Sequence, residues 1–457
     1  MNMSFPLSHP MSRRGLLSTS AALAVSALAV SGCSGSSGSS GSKGTVTWST
    51  WGTPEELTLL EEFNTQFMKD HPEITVVFQP VASYDEYHTK LLTQLTSGTA
   101  PDVFYIGDDR VASVLPNKVL APLDELLSSA GSPISAEDFN AEVYGIAELD
   151  GALYALPNDV NPDAWWYNKN VLKAAGITED PAELAAQGAW TTSTFLSMSE
   201  RIKAAGLTTL AFWNYWATHA SWMTSQGGQV YDESGAYVAH TDTVCVAAVE
   251  ELAARCRSGE FLVADTLPEG GGADTMFLTD KLAFFAQGRY TANTLRSAGA
   301  DLSAYDIAPW PTPDGSPAPT GLAASFLAIN AKAADPQAAY TFFSSFLSVE
   351  GQRIRLASGT AVPSVTGADD LVTSDDFPEH AQTMLDMRDI GYTNNRTEAA
   401  VPGLSSTIAT EHMLPLYEGK AQAQETLDAI AALVATEGAP AGASPSSGAS
   451  AEETRSS

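Results

Sequence analysis

Aromatic rings and short polar side chains recur together at a few places in this 457-residue chain. Thr50-Trp51, Val81 to Tyr84, Asp108-Asp109-Arg110, Trp213-Asn214-Tyr215-Trp216 and Gly288-Arg289-Tyr290 each sit at or just after a short apolar run. Flat rings beside Asp, Asn and Arg suit a ligand whose C–H faces stack and whose hydroxyl pairs are bridged by polar groups, with charge-assisted hydrogen bonds the stronger kind. That is the chemistry of a sugar. Trp51, Tyr84, Asp108, Asp109, Arg110, Trp213, Asn214, Trp216, Arg289 and Tyr290 are candidates on this ground. Any one of them could be core, since tryptophan is highly buried on average; the coincidence of several carries the reading.

Reactive constellations are absent from the pattern. The folded region holds no His-Glu-x-x-His, Gly-x-Ser-x-Gly, Cys-x-x-Cys or Gly-x-x-x-x-Gly-Lys, and the seven histidines lack metal-ligand spacing. No metal, cofactor or catalytic residue is expected. A secreted glycosidase needs only two carboxylates about 5–10 Å apart, so 54 acidic residues leave that alternative open.

The elements that must position these residues follow from periodicity. "TVTWST" and "ITVVFQP" read as strands, as does "DVFYIG", with helices "TPEELTLLEEFNTQFMKDHP" and "YDEYHTKLLTQLTSG" between them. Thr53, Pro54 and Glu56 have the spacing of a helix start. Strand, helix, strand, helix, strand predicts a right-handed parallel α/β unit. "LDGALYALP" carries an Asp-Gly hairpin turn. The pattern then restarts with "AWWYN", a helix over "TTSTFLSMSERIKAAG", "TLAFWN" and "LAFFAQ". "LAASFLAIN" reads as a further strand, and the rest is mainly helical. The fold class is therefore α/β in two lobes, each a sheet domain, with the C-terminal part shared. Ligands of open parallel sheets bind beyond the carboxyl ends of the strands, where the five aromatic and polar clusters fall.

Both ends stand apart from this folded part. Arg13 and Arg14 precede the apolar "GLLSTSAALAVSALAV", which is short for a permanent span, and "VSGC" ends at Cys33. This resembles a bacterial lipoprotein signal over residues 1–32, cut before a lipidated Cys33; "SRRGLL" also resembles a twin-arginine export signal. Residues 33–44 form a Gly/Ser tether and 436–457 a disordered tail. Net charge is −31, and −33 once Arg13 and Arg14 are removed. So acidic a chain is a poor partner for nucleic acid or anionic membrane surfaces. Attachment to the extracytoplasmic face of the membrane must come from lipid, and one acyl chain holds only marginally. Cys245 and Cys256 share one predicted helix, roughly 16 Å apart along its axis. A disulfide needs Cα atoms within about 7 Å, so two buried free thiols are expected.

Taken in order, "WSTWGTPEELTLLEEFNTQFMKDHPEITV", "LTSGTAPDVFYIGDDR", "LYALPNDVNPDAWWYNKNVLKAAGI", "KLAFFAQGRYTAN" and "FLAINAKAADPQAAYTFFSSFLSVEGQRIRLASGTAVPS" resemble the extracellular solute-binding proteins of bacterial ABC importers. The resemblance is to the carbohydrate-binding, maltose-binding-protein-like group and covers nearly all of residues 45–435. It implies a monomer of two lobes that close on a sugar, catalyse nothing and dock on a membrane permease. It implies lobe 1 over 45–156 and 327–365, and lobe 2 over 157–326 and 366–435. It places ligand contacts at Asp109 and Arg110, at Asn161 with Asn158 second, on the loop from Trp213 to Trp216 and at Tyr290. "AVPGLSSTIATEHML" lacks the tryptophan that maltose-binding relatives stack there, which makes maltodextrin specificity doubtful and Arg396 a substitute contact. A non-sugar ligand (a polyol phosphate, oligopeptide or amino acid) and a lipoprotein that only presents a surface remain alternatives.

Overall fold

The computed structural model describes residues 44–437, except 53, 82, 269–271, 375 and the side chains of Glu55, Asp85 and Arg396. Cys33, the tether, most of the tail, Thr53 and the Arg396 side chain therefore lie outside the described residues.

Among the described residues, twelve strands build two five-stranded sheets and a small hairpin. They are β1 (Gly44–Ser49), β2 (Ile74–Phe78), β3 (Val103–Gly107), β4 (Glu148–Leu149), β5 (Ala152–Leu153), β6 (Ala155–Pro162), β7 (Ala164–Asn168), β8 (Thr208–Phe212), β9 (Phe261–Val263), β10 (Leu282–Gln287), β11 (Tyr305–Ala308) and β12 (Leu322–Ile329). The first sheet has the order β2-β1-β3-β12-β6 and the second β11-β7-β10-β8-β9. β1 is parallel to β2 and β3, as the alternating pattern requires, and β12 runs antiparallel between β3 and β6. In the second sheet β8, β9 and β10 are parallel while β7 lies antiparallel to β10 and β11. This is the two-lobe α/β architecture of the periplasmic binding proteins.

β6 stays in the first sheet through Pro162, which pairs with Leu322 at the start of β12. A single residue, Asp163, then separates β6 from β7 in the second sheet. Asp150 and Gly151 both take positive φ, 54° and 79°, in the turn between β4 and β5. That is the pair of left-handed residues a two-residue hairpin turn demands. In the first lobe the helix Pro336–Leu347 brings Phe342 and Phe346 against Trp48, ring centroids 5.4 and 5.2 Å apart. The C-terminal third of the chain thus returns to complete the first core.

The stretch "NPDAWWYNKN" is strand and cap rather than an exposed aromatic surface. Trp165, Trp166 and Tyr167 are fully buried. Alternation sends Trp165 towards Trp190, Phe195 and Trp222, and Trp166 to the opposite face, against Phe377, where its Nε1 donates to the Gly288 carbonyl at 3.1 Å. Asn168 ends the strand and caps the next helix, its Oδ1 accepting from the N–H groups of Asn170 and Val171. The helix Thr243–Arg257 is continuous, and Cys245 and Cys256 are free thiols. Cys245 is buried; Cys256 is only half-buried, short of the burial expected for both.

Candidate functional site

At the carboxyl ends of β1, β2 and β3 the first lobe assembles one compact cluster. The Trp51 ring meets Tyr84 edge-on at 4.8 Å, and the Tyr84 hydroxyl donates to Asp109 Oδ1 at 2.5 Å. Arg110 lies 5.8 Å from the Tyr84 ring, with its Nε 3.3 Å from Asp109 Oδ2. Gly107 permits this approach: a Cβ there would lie 1.9 Å from the Tyr84 hydroxyl. Its N–H donates to His88 Nε2 at 3.0 Å, so the His88 proton sits on Nδ1, which donates to the Tyr84 carbonyl. Four expected residues, Trp51, Tyr84, Asp109 and Arg110, are thereby brought together.

A cavity of 370 Å³ is walled mainly by the second lobe, through Trp213, Tyr215, Thr218 and Tyr290, with Asn161 at the end of β6 and Asp163 in the step to β7 completing it. Tyr290 is 40% exposed, rare for a large ring and suited to stacking. Gly288 again allows crowding, since a Cβ would meet the Tyr290 ring at 2.7 Å and Asn161 Oδ1 at 2.8 Å. Asn161 Oδ1 accepts the Arg289 N–H at 3.0 Å, which fixes the amide orientation beside the cavity. Asp163 accepts from the Thr218 hydroxyl at 2.7 Å, and burial raises its carboxyl to about 6.

One contact spans the two groups. The Tyr215 hydroxyl, from the second lobe, lies 3.4 Å from both carboxylate oxygens of Asp108. Asp108 is buried; it accepts the Ala324 N–H at 3.0 Å and its own N–H donates to the Ala324 carbonyl. Burial first, then the neighbouring Asp109, raises its carboxyl to about 8. Asp108 therefore tethers β12 and the Tyr215 loop, where a ligand contact was expected.

Three other expected contacts are taken up by the protein itself, and a fourth faces elsewhere. Asn158 is fully buried, with its Nδ2 donating to Asp159 at 2.7 Å, because this part of β6 faces the core. Asn214 donates from Nδ2 to the Ala409 carbonyl at 2.8 Å and accepts from His219 Nε2 at 3.0 Å, bracing the C-terminal helices. Arg289 is buried and spends its guanidinium on the carbonyls of Ala361 and Leu371, at 2.9 and 2.5 Å. Trp216 begins the helix Trp216–Ser225 on a face turned to a different cavity. Residues absent from the sequence expectation are Asp163, Thr218 and Asp265, which also lines the 370 Å³ cavity and accepts the Asn214 N–H at 2.7 Å; Tyr215 was expected only as part of its loop. Asp163 lay in view inside "NPDAWW", and Tyr215 inside the named aromatic loop.

Asp306, Glu379 and His380 are the described group whose ligand atoms come close enough for a metal. Lys169 Nζ already stands 3.1 Å from Asp306 Oδ2 and 3.7 Å from Glu379, so an ammonium supplies the positive charge there.

The fold and cleft define a class, and comparison agrees: residues 51–353 match the bacterial extracellular solute-binding protein family, to which the chain belongs. A binding protein of Brucella abortus is 30% identical over 122 residues, 27% of this chain and 28% of that one. The maltodextrin-binding protein MdxE of Bacillus subtilis is 24% identical over 274 residues, 56% of this chain and 58% of its own. The chain thus spans just over a quarter of the first relative and well under two thirds of the second. Among solved structures, the Listeria monocytogenes ABC substrate-binding protein in complex with cycloalternan superposes with a TM-score of 0.72 at 17% identity, covering 86% of this chain and 98% of that one. The sugar-binding protein MalE of Xanthomonas citri gives 0.72 at 18% identity with the same coverage.

Proposed function

We propose that the chain captures a sugar or oligosaccharide between its lobes and delivers it to the membrane permease of an ABC importer, without chemistry on the ligand. The observation that carries this reading is the half-exposed Tyr290 ring set among Asn161, Asp163 and Trp213 in the second-lobe cavity. A ring face with polar edges suits a pyranose better than a charged amino acid. The Asp109–Arg110 pair is already matched in charge and bonded to Tyr84, which leaves it hydrogen-bonding capacity for hydroxyl groups rather than an unmatched charge for an amino acid. Relatives named for maltodextrin, cycloalternan and other sugars add support. The ligand contacts in this reading are Tyr290, Trp213 and Asp163 from the second-lobe side, Asn161 at the end of β6, and Trp51, Tyr84, Asp109 and Arg110 from the first-lobe side.

In this reading the lobes meet at 162 and 322 rather than at the expected 156 and 327, supported by the pairing of Pro162 with Leu322. The protein works as a monomer on the extracytoplasmic face of the membrane, held by lipid on Cys33. Thermal melting of the chain from Ser34 onward, against mono-, di- and oligosaccharides, polyols, amino acids and short peptides, tests the assignment. A ligand bound only by the native state raises the melting temperature. One sugar class is expected to respond and to be recovered intact by mass spectrometry. A response confined to amino acids or peptides, or a hydrolysed sugar, would overturn it.

A further inference from the structure

A larger cavity, 790 Å³, lies beside the helix Trp216–Ser225 on a different face from the cleft. Trp216, His219, Ala220 and Met223, at helical spacing, line it, whereas Ala217 and Thr218 line the second-lobe cavity of the cleft. Ile146 of the first lobe and the C-terminal segment from Tyr392 to Ile430 contribute to its remaining walls. Its volume falls in the range of small-molecule sites, about 300–1,000 Å³.

The lining is chemically one-sided. Trp216, Tyr231 and Tyr392 give it aromatic rings, and Glu142, Glu233 and Glu398 give it carboxylates. Among the described lining residues there is no Lys or Arg. His219 is kept neutral by burial, which lowers it to about 3. Glu398 is the decisive group. It is 7% exposed and accepts hydroxyl hydrogen bonds from Tyr231 and, at 3.2 Å, from Ser405; no cation pairs with it among the described residues. A carboxylate buried with neutral donors alone is costly in its charged form, and its pKa rises accordingly to about 7. Trp216 Nε1, Thr393 Oγ1 and Asn394 Oδ1, on three other lining residues, are buried without a hydrogen-bond partner.

We propose that this cavity is a second ligand site, separate from the sugar cleft, that takes an organic ammonium ion. The ring faces attract a cation through their quadrupoles, and Glu398 supplies the opposite charge, whose pull is stronger in a buried, low-dielectric setting than in water. Among the described residues Glu398 has no counter-ion; an ammonium group supplies one and a sugar does not.

The test titrates the purified full chain with choline chloride and, at matched ionic strength, with 3,3-dimethylbutan-1-ol, the uncharged isostere of choline, read by calorimetry and melting temperature. Choline is expected to bind saturably, the isostere at least about tenfold more weakly. Glu398→Gln should weaken choline by a similar factor, and Tyr290→Ala, in the sugar cleft, should leave it unchanged. Equal binding of choline and isostere, no saturable heat with choline, or loss of choline binding in Tyr290→Ala would each overturn the proposal. The comparison of the two probes on the unaltered chain decides the matter should Glu398→Gln fail to fold. A chain that binds choline but no sugar would leave this site standing and remove the cleft assignment instead.

Discussion

Asp108 and Asp163 are two carboxylates whose surroundings give them different work. Asp108 is buried against Ala324 and Tyr215, and its raised pKa, about 8, means that the folded protein holds a proton that the unfolded chain has released above about pH 4. The sign follows: the stabilisation is full below the unfolded pKa and is lost as pH rises towards 8. Asp108→Asn, which keeps the shape and removes the charge, should flatten this loss, worth up to ~2 kcal/mol between pH 6.5 and 8. Urea unfolding across that interval measures it; an Asn variant as pH-sensitive as the parent would contradict the tether role. Asp163 faces the cleft with one hydroxyl donor, Thr218, and Asp163→Ala should weaken sugar binding about tenfold with little change in melting temperature. The sequence displayed Asp163 plainly but gave no reason to choose it. Strand-end reasoning looks past the ends of parallel strands, whereas Asp163 fills the single-residue step between β6 and β7, which join different sheets. Arg289 misled in the opposite way: its neighbour Tyr290 faces the cleft, but its long side chain reaches back to the carbonyls of Ala361 and Leu371, a direction that chain position does not encode.

At the scale of elements, the hinge side of the first lobe is held by one buried ion pair. Arg355, at the end of the helix Val349–Arg355, sits 3.5 Å from Asp159 on β6 and donates to the Asn158 and Phe346 carbonyls. Arg355→Ala would strand the Asp159 carboxylate, and removal of one partner of such a pair costs about 3–5 kcal/mol. A fall in the urea midpoint of matching size is expected, and a melting temperature within a degree or two of the parent would refute it. Elements of this kind were legible in advance where period and caps agreed: β1 to β3, the Asp-Gly hairpin, the helix carrying both cysteines and the strand of Trp165 and Trp166. The cysteines, separated along one unbroken helix, should leave the melting temperature indifferent to reductant. What periodicity could not deliver was β9, three residues long, and with it Asp265, because so short a run offers too few alternations to register. The helix Trp216–Ser225 carries a finer lesson. Its residues divide between two cavities, so an aromatic cluster read as one contact loop serves two sites.

For the whole molecule, the two clusters belong to different sheets, and among the described residues the Tyr215 hydroxyl reaches Asp108, beside the first cluster, at the long distance of 3.4 Å. Hydrogen bonds of that length are weak, so this contact would yield readily if the lobes separate and re-close around a ligand that touches both. A sugar bound by both lobes shifts that population towards the closed form by as much as it prefers it. Small-angle scattering should record a smaller radius of gyration on sugar addition, and an unchanged radius at saturation would argue for capture by one lobe alone. The net charge of −31 over the chain disfavours electrostatic attraction to an anionic membrane, so the proposed attachment would have to come from lipid.

The central claim is that one ligand is held from both sides, and calorimetric titration of the responding sugar into the parent, Asp109→Ala and Tyr290→Ala tests it most directly. The account predicts that each variant, one in each lobe, folds normally and loses about tenfold or more in affinity. Unchanged dissociation constants for both would mean that the sugar does not sit in this cleft.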